Sequence, residues 1–128
     1  MKVRAYVLLV LAGILTMSAS TKKASLSEGN TPGNLAPRIE SMDNGREVRF
    51  QNHSGKYTLL NFWAAYDAES RARNIQLWNE VNKLNSSEIE MISISYDKSP
   101  SVFSETVKAD GLNQENQFRD EQGAESEL

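Results

Sequence analysis

The sequence predicts an α/β domain in which a β-hairpin is followed by a strand, a helix, a second strand and a second helix. Three observations support this fold class: an Asn-Gly dipeptide between two alternating runs, a largely apolar run over residues 57–63, and a helical apolar stripe leading into a second apolar run. A strand–helix–strand order of this kind gives parallel strands with the helix packed on the sheet. The 128 residues are enough for one domain with one modest core.

The hairpin is predicted around Asn44 and Gly45, because Asn-Gly favours the tight turns that join antiparallel strands. Residues 38–42 and 47–50 alternate polar and apolar side chains on the two sides of this dipeptide. A second turn over residues 53–56 (His-Ser-Gly-Lys) separates the hairpin from the first core strand.

The core of the domain is predicted to be a strand–helix–strand unit. Residues 57–63 (YTLLNFW) predict a strand covered on both faces, as in a parallel or mixed sheet. Apolar side chains then recur at helical spacing over residues 69–84, which predicts an amphipathic helix packed on the sheet. Residues 89–96 (IEMISISY) predict a second core strand with alternating faces.

A second helix is predicted over residues 100–109, where it begins with a proline, has Ser99 as its N-cap and is stopped by Gly111. Beyond it the pattern weakens. Phe118 is alone among polar residues, so no strand is predicted there, and residues 123–128 predict the beginning of another helix. A sheet that ends at the second core strand leaves an edge open to pairing, so we expect low stability or partnering.

Residues 1–20 have the pattern of a secretory signal peptide. Lys2 and Arg4 precede an apolar stretch over residues 7–15, and small residues follow at 18–20. The alternative is a membrane anchor, but a span needs about 20 apolar residues and this stretch is about half as long. We therefore expect export to the periplasm or cell envelope, with no membrane association after the signal peptide is cleaved.

The mature chain is predicted to have a flexible linker over residues 21–33, rich in Ser, Thr, Lys and Gly, and a single domain over residues 34–128. Loss of residues 1–20 removes two basic residues and no acidic one, which leaves 12 basic against 17 acidic residues and a net charge of −5. This charge argues against nucleic acid and against an anionic membrane surface as partners.

The sequence contains no cysteine. Structural disulfides, thiol catalysis and cysteine-ligated metal sites are therefore excluded for these 128 residues. We expect His53 to be a turn residue and not a metal ligand, and neither a metal nor a cofactor is predicted.

Two segments resemble the exported thioredoxin-like family of thiol-disulfide interchange proteins, whose fold is shared with alkyl hydroperoxide reductase-like proteins. Residues 33–39 (GNLAPRI) are similar to a Gly-x-x-Ala-Pro-x-Phe opening. Residues 55–66 (GKYTLLNFWAAY) are similar to a Gly-Lys-x-x-Leu-Leu-Asn-Phe-Trp-Ala-x-(Trp or Tyr) strand. The resemblance extends over about residues 33–128 and implies a three-layer α/β/α sandwich.

The family motif continues with Cys-x-x-Cys-Arg, whereas this chain continues with Asp67-Ala68-Glu69-Ser70-Arg71. The resemblance thus assigns Asp67 to the position of the nucleophilic cysteine and Ser70 to that of the resolving cysteine. Thiol–disulfide exchange needs a thiolate, and neither a carboxylate nor a hydroxyl can form a mixed disulfide. The resemblance also implies a later cis-proline loop, a hairpin and a last helix, so the fold is expected to be incomplete at the C-terminus.

The family active-site positions are the candidate site of this chain. Asp67 and Ser70 are interpreted as helix caps that accept hydrogen bonds from the first turn. The alternative for Asp67 is a general base, for which the sequence indicates no partner. Trp63 is interpreted as core and Tyr66 as an exposed aromatic residue. The charged run that follows is interpreted as a solvated face, with an anion site at Arg71 and Arg73 as the alternative.

These observations predict a redox-inactive, exported thioredoxin-like domain that serves as a binding or scaffold module. The predicted partner is another polypeptide, bound through Tyr66, Asp67, Glu69 and Ser70. The alternative is a degenerate or truncated remnant of a thiol-disulfide oxidoreductase with no activity of its own. The oligomeric state is left open by the sequence.

Overall fold

The computed structural model of the chain describes residue 3 and residues 27–42, 45–48, 50 and 55–126. Apart from residue 3, the predicted signal peptide lies outside this part of the chain, and so do residues 21–26 of the predicted linker and His53. The last residues of the linker are described, and they form a turn in which Leu35 donates its N–H to Ser27 O at 3.0 Å. None of the helices that the structure describes is long and apolar enough to cross a membrane.

The predicted hairpin is confirmed as a two-stranded antiparallel sheet. Strand β1 spans Ile39–Met42 and strand β2 spans Arg46–Val48, with Ile39 opposite Val48. Gly45, immediately before β2, has a φ of 76°, a left-handed conformation that glycine adopts without steric cost.

The main sheet has three parallel strands. Strand β3 spans Tyr57–Trp63, β4 spans Ile89–Ser95 and β5 spans Gln117–Arg119, in the order β3-β4-β5. The first two strands pair over their full length, from Tyr57 opposite Ile89 to Trp63 opposite Ser95. Both predicted core strands are confirmed, and β5 is an additional strand that the sequence pattern did not predict.

Both predicted helices are confirmed. Helix α1 spans Ala68–Leu84, and helix α2 spans Pro100–Ala109 with Ser99 as its N-cap. Short 3-10 turns follow at Gln114–Asn116 and Gly123–Glu125. The predicted beginning of a helix at residue 123 is confirmed as a single 3-10 turn, but the turn does not continue, because Ser126 is already extended.

The hairpin and the helices cover opposite faces of the main sheet. Because side chains alternate along a strand, Ile94 faces the hairpin while Ser93 and Ser95 face the helices. The hairpin-side core consists of Ile39, Met42, Val48, Ile92, Ile94 and Phe118, with Phe50 and Phe62 packed against it. The helix-side core consists of Trp63, Phe103, Val107 and Leu112, with Ala65, Ile75 and Trp78 packed against it. The described residues therefore form a hairpin, a sheet and a layer of two helices.

A buried polar network joins α1 to all three strands of the sheet. The Asn74 side chain on α1 is fully buried and accepts from Ser93 Oγ at 2.6 Å and from Asn61 Nδ2 at 3.0 Å. Its own amide donates to Gln117 Oε1 at 3.3 Å. Buried polar groups are costly unless they are hydrogen-bonded, so this network fixes the position of α1 on the sheet.

The two edges of the main sheet differ. Strand β5 covers one side of β4, whereas the described residues contain no strand on the outer side of β3. Two apolar side chains on this edge strand are exposed, Tyr57 at 75% and Leu60 at 38%. The expectation that the sheet ends at the second core strand was wrong, because β5 pairs with β4 and covers that edge.

Candidate functional site

The turn between β3 and α1 is shaped by Asp67. This residue is the N-cap of α1, with φ −104° and ψ 101°, and its Oδ1 accepts the Glu69 N–H at 3.2 Å. The predicted cap is thus confirmed for Asp67. Its carboxylate also lies at the positive end of the helix dipole, where a negative charge is stabilising. Ala68, the first residue of α1, is exposed beside it.

Ser70 closes the same turn in a different way from the one predicted. Its Oγ accepts the Ala64 N–H at 3.2 Å and donates to the Asp67 carbonyl oxygen at 3.2 Å. The prediction that Ser70 caps a first-turn N–H was therefore wrong, because its hydroxyl reaches back to the residue that follows β3. The hydroxyl thus holds the end of the strand against the start of the helix.

Asp97, which follows β4, holds the turn between β3 and α1 by a hydrogen bond. Its buried carboxylate accepts the Ala65 N–H at 2.9 Å and the Ser95 hydroxyl at 2.6 Å. The Ser95 hydroxyl in turn accepts the Asp97 N–H at 3.0 Å. The sequence pattern did not predict this role of Asp97, because its hydrogen-bond partner Ala65 follows a different strand. An acidic residue directly after a predicted core strand was the available signal, since the ends of parallel strands meet at one edge of the sheet.

Trp63 is a core residue, as predicted. Only 1% of its surface is exposed, and its ring packs against Phe103 of α2 with the ring centroids 6.3 Å apart. A residue so buried is not available to a partner. Its role at the site is to anchor the end of β3 against α2.

Tyr66 is the exposed aromatic residue that the sequence predicted, with 71% of its surface exposed. It stands at one side of an open cleft of about 510 Å³ at the carboxyl end of the sheet. The cleft is lined by Ala65, Tyr66, Tyr96, Asp97, Lys98, Ser99, Val102, Thr106 and Ala124. Burial, and then the charges of Asp120 and Tyr66, raise the pKa of the Tyr96 hydroxyl above its usual value of 10.0.

Arg71 and Arg73 are both held by carboxylates. Arg71 Nε and Nη2 donate to the two carboxylate oxygens of Asp110 at 2.7 and 2.5 Å, and this hydrogen bonding raises the pKa of Arg71 above its usual value. Arg73 pairs with Glu69 at 2.8 Å on the exposed face of α1. The alternative of an anion site at these arginines is not favoured, because each already has a carboxylate partner. Arg71 instead joins the start of α1 to the end of α2.

The described residues at this site provide neither a thiol nor a metal-ligand group. The 128 residues supply no thiol, and the described part of the chain contains no group of three metal-ligating side chains. Among the described residues, the Asp67 carboxylate bonds only to the Glu69 N–H. A general base needs a reacting partner within hydrogen-bond distance, and the geometry around Asp67 provides a cap instead.

A crystal structure of a thioredoxin-like protein from Parabacteroides distasonis ATCC 8503 is similar to this chain. The two are 58% identical, the match covers 81% of this chain and 73% of the Parabacteroides chain, and the TM-score is 0.67. The chain belongs to the thioredoxin-like family.

Two further solved structures support the thioredoxin-like fold. A thiol-disulfide oxidoreductase from Bacteroides fragilis NCTC 9343 is 25% identical, with 72% of this chain and 69% of that chain covered and a TM-score of 0.59. The C-terminal domain of a thiol-disulfide oxidoreductase from Bacteroides thetaiotaomicron is 26% identical, with 72% and 66% covered and a TM-score of 0.58. No protein-family model and no curated protein matches the chain.

These similarities confirm the predicted family and fold class. The thioredoxin-like domain described here has a parallel sheet and two helices, and the matched part covers about 70% of the related chains. Its relatives include thiol-disulfide oxidoreductases, whereas this sequence contains no cysteine. The site has therefore to be explained without thiol chemistry.

Proposed function

We propose that this thioredoxin-like domain is redox-inactive and acts as a protein-binding module through the surface formed by Tyr66, Asp67, Glu69 and Ser70, which we call the turn surface. The observation that supports this proposal most strongly is the exposure of Tyr66 beside an open cleft, on a turn held by hydrogen bonds. Exposed aromatic residues are enriched where proteins bind one another.

The redox part of the proposal rests on the composition of the chain. Relatives are named as thiol-disulfide oxidoreductases, and such chemistry proceeds through a cysteine thiolate that these 128 residues do not contain. Purified protein is expected to show no reduction of insulin disulfides and no glutathione-linked reductase activity. Thiol-dependent turnover above a buffer blank would contradict this part of the proposal.

The binding part of the proposal rests on the rigidity of the turn. Asp67 caps the helix, Ser70 ties the turn to the end of β3, and Asp97 holds Ala65 from the neighbouring strand. A recognition residue on a pre-organised turn loses little conformational entropy when it binds. The backbone around Tyr66 is therefore held by hydrogen bonds, and a partner need not order it.

The shape of the cleft suggests which part of a polypeptide would enter it. Besides Tyr66, apolar groups of Ala65, Val102 and Ala124 line the cleft. Apolar pockets of this kind receive an apolar anchor side chain of a partner, with polar groups at the rim fixing its orientation. We propose that the partner presents such a side chain beside Tyr66, with its backbone over Asp67 and Glu69.

A matched pair of variants tests the turn surface. Tyr66→Ala removes the exposed ring beside the cleft, and Tyr57→Ala removes a ring of similar exposure at the other end of β3. We expect pull-downs from periplasmic extract to lose partner polypeptides with Tyr66→Ala and to retain them with Tyr57→Ala. Equal recovery by Tyr66→Ala and the unmodified protein would remove Tyr66 from the site.

We further propose that the protein works outside the cytoplasm, after removal of residues 1–20. The support is the basic start, the apolar stretch and the small residues in that segment. Cell fractionation followed by mass measurement of the intact protein tests this proposal. A periplasmic species shortened by about the mass of the first 20 residues is expected, whereas a full-length cytoplasmic species would contradict export.

A second candidate is a remnant of a thiol-disulfide oxidoreductase with no function of its own. The observation that favours it is that no strand among the described residues pairs with the outer edge of β3, where Leu60 is exposed, because an unpaired edge weakens a small domain. Thermal melting followed by circular dichroism separates the two candidates. A cooperative transition supports a working module, and a featureless curve supports a remnant.

A further inference from the structure

We propose that a polar cavity at the amino end of β4 binds a neutral, polyhydroxylated ligand of the size of a monosaccharide or disaccharide. The cavity has a volume of about 710 Å³ and lies beside residues 89–92. Cavities of this size are typical of small-molecule sites. The turn surface lies at the other end of the sheet, where β3 and β4 finish, so the proposal is independent of the proposed function.

Three parts of the fold form the walls of the cavity. The end of α1 with the residues that follow it forms one wall, strand β2 of the hairpin forms another, and the 3-10 turn at 114–116 forms the third. Arg46 holds this turn against the hairpin, because its guanidinium donates to Glu115 O at 2.7 Å and to Gln117 O at 3.1 Å. The same guanidinium lies 4.3 Å from the centre of the Phe118 ring. The walls are therefore tied together by contacts between distant segments.

The cavity lies apart from the outer edge of β3 and from the last described turn. It is on the β5 side of β4, whereas β3 pairs with the opposite side of that strand. Gly123, in the last turn, packs closely against Tyr96 O, beyond the carboxyl end of β4. A strand of seven residues separates that end from the amino end by about 20 Å.

Side-chain amides provide much of the hydrogen-bonding capacity of the cavity. Asn82, Asn85 and Asn116 line it, and none of these three side chains makes a hydrogen bond to another described residue. The Oδ1 atom of Asn116 is moreover shielded from solvent, and a buried acceptor without a donor is costly. An amide both donates and accepts hydrogen bonds, as a hydroxyl does. The amides therefore match a ligand that has several hydroxyl groups.

The charges of the lining select against an anionic ligand. Glu47, Glu90 and Glu115 line the cavity, and none of the lining side chains in the described part of the chain is basic. Carboxylates repel an anion and accept hydrogen bonds from neighbouring hydroxyls. A polyamine would suit the carboxylates, but it supplies mainly donors and would leave the asparagine N–H groups without acceptors. A neutral polyol satisfies both sets of groups.

An aromatic and aliphatic wall complements the polar one. Trp78 is half-buried at the cavity, and Val81 and Ile89 line the cavity with it. The indole N–H of Trp78 makes no hydrogen bond to any described residue. An indole offers an apolar face together with one N–H donor. A sugar ring presents C–H groups as well as hydroxyls, so it fits this wall better than a fully polar ligand does.

Titration of the isotope-labelled full chain, followed by amide and indole NMR signals, tests the proposal. The probes are glucose, N-acetylglucosamine, maltose and cellobiose, with spermidine and citrate as cationic and anionic comparisons. We expect saturable shifts with at least one sugar, in the millimolar range or tighter, at the Trp78 indole and the residues around it. No saturable shift with any of the four sugars, or tighter binding of spermidine or citrate at these residues, would overturn the proposal.

A matched pair of variants locates the binding. Asn82→Ala removes one amide of the cavity and is expected to weaken sugar binding about fivefold, the effect of one lost hydrogen bond. Asn79→Ala makes the same change at an exposed position of α1 that does not line the cavity, and it is expected to leave the affinity unchanged. Both positions are exposed, so both variants are expected to fold, which circular dichroism checks. Equal sugar affinities of the two variants would overturn the assignment of the site.

Discussion

The Asp97 carboxylate, at the end of β4, accepts the backbone N–H of Ala65, just beyond the end of β3, at a distance of 2.9 Å. This hydrogen bond joins two segments that are 32 residues apart in sequence and fixes the turn that presents Tyr66. The position of the turn surface therefore depends on Asp97, which follows the neighbouring strand, as well as on the turn itself.

Removal of the Asp97 carboxylate is expected to destabilise the domain. Asp97→Ala leaves the Ala65 N–H and the Ser95 hydroxyl without this acceptor, which costs about 1–3 kcal/mol. Asp97→Asn keeps an acceptor oxygen and is expected to cost less. Urea unfolding measures both variants. Equal losses for alanine and asparagine would show that the acceptor oxygen is not what stabilises the turn.

The polar network under α1 predicts an unusual sensitivity at Asn74. Asn74→Ala removes the partner of Asn61, Ser93 and Gln117 and is expected to cost about 2 kcal/mol. Asn79→Ala makes the same change at an exposed position of the same helix and is expected to cost less than about 0.5 kcal/mol. Similar unfolding midpoints for the two variants would contradict the proposed role of the network.

The Arg71–Asp110 ion pair is expected to contribute more than the exposed pair of Arg73 with Glu69. The Asp110 side chain is largely buried and the contact is bidentate, but Arg71 remains partly exposed to solvent. A double-mutant cycle is expected to give a coupling of about 1 kcal/mol for this pair and about 0.3 kcal/mol for the exposed one. Couplings in the opposite order would show that burial of Asp110 does not strengthen the contact.

The raised pKa of Tyr96 gives a pH dependence with a defined sign. Because the folded state disfavours the ionised form of Tyr96, this residue contributes stability that is fully present below about pH 10, the usual pKa of a tyrosine hydroxyl. The stabilisation is lost as pH rises through the folded-state pKa. We therefore expect Tyr96→Phe to lose less stability than the unmodified protein between about pH 9.5 and 11. Parallel losses in the two proteins over this window would contradict the assignment.

Most of the fold follows from local patterns in the sequence. The two core strands, the two helices and the Ser99 cap are encoded by apolar periodicity and by capping residues, which act within a few residues of each other. Strand β5 was not predicted because it has three residues, and only Phe118 among them is apolar. Strand β5 is instead stabilised by its pairing with β4 and by the burial of Gln117 beside Asn74.

The candidate site also has some features that follow from neighbouring residues and others that depend on distant contacts. The cap at Asp67, the burial of Trp63 and the exposure of Tyr66 follow from neighbouring residues and were predicted. The contact of Asp97 with Ala65 depends on the register of two parallel strands, which the sequence does not specify. The role of Ser70 differs from the prediction because its hydroxyl turns back towards Ala64.

The central claim is that Tyr66 contacts a partner polypeptide. The most direct measurement is site-specific photo-crosslinking in intact cells, with a photoreactive phenylalanine analogue in place of Tyr66 and, as the control, in place of Tyr57. We predict discrete adducts with another polypeptide at position 66 that are absent at position 57. Adducts at neither position, or the same adducts at both, would contradict the claim.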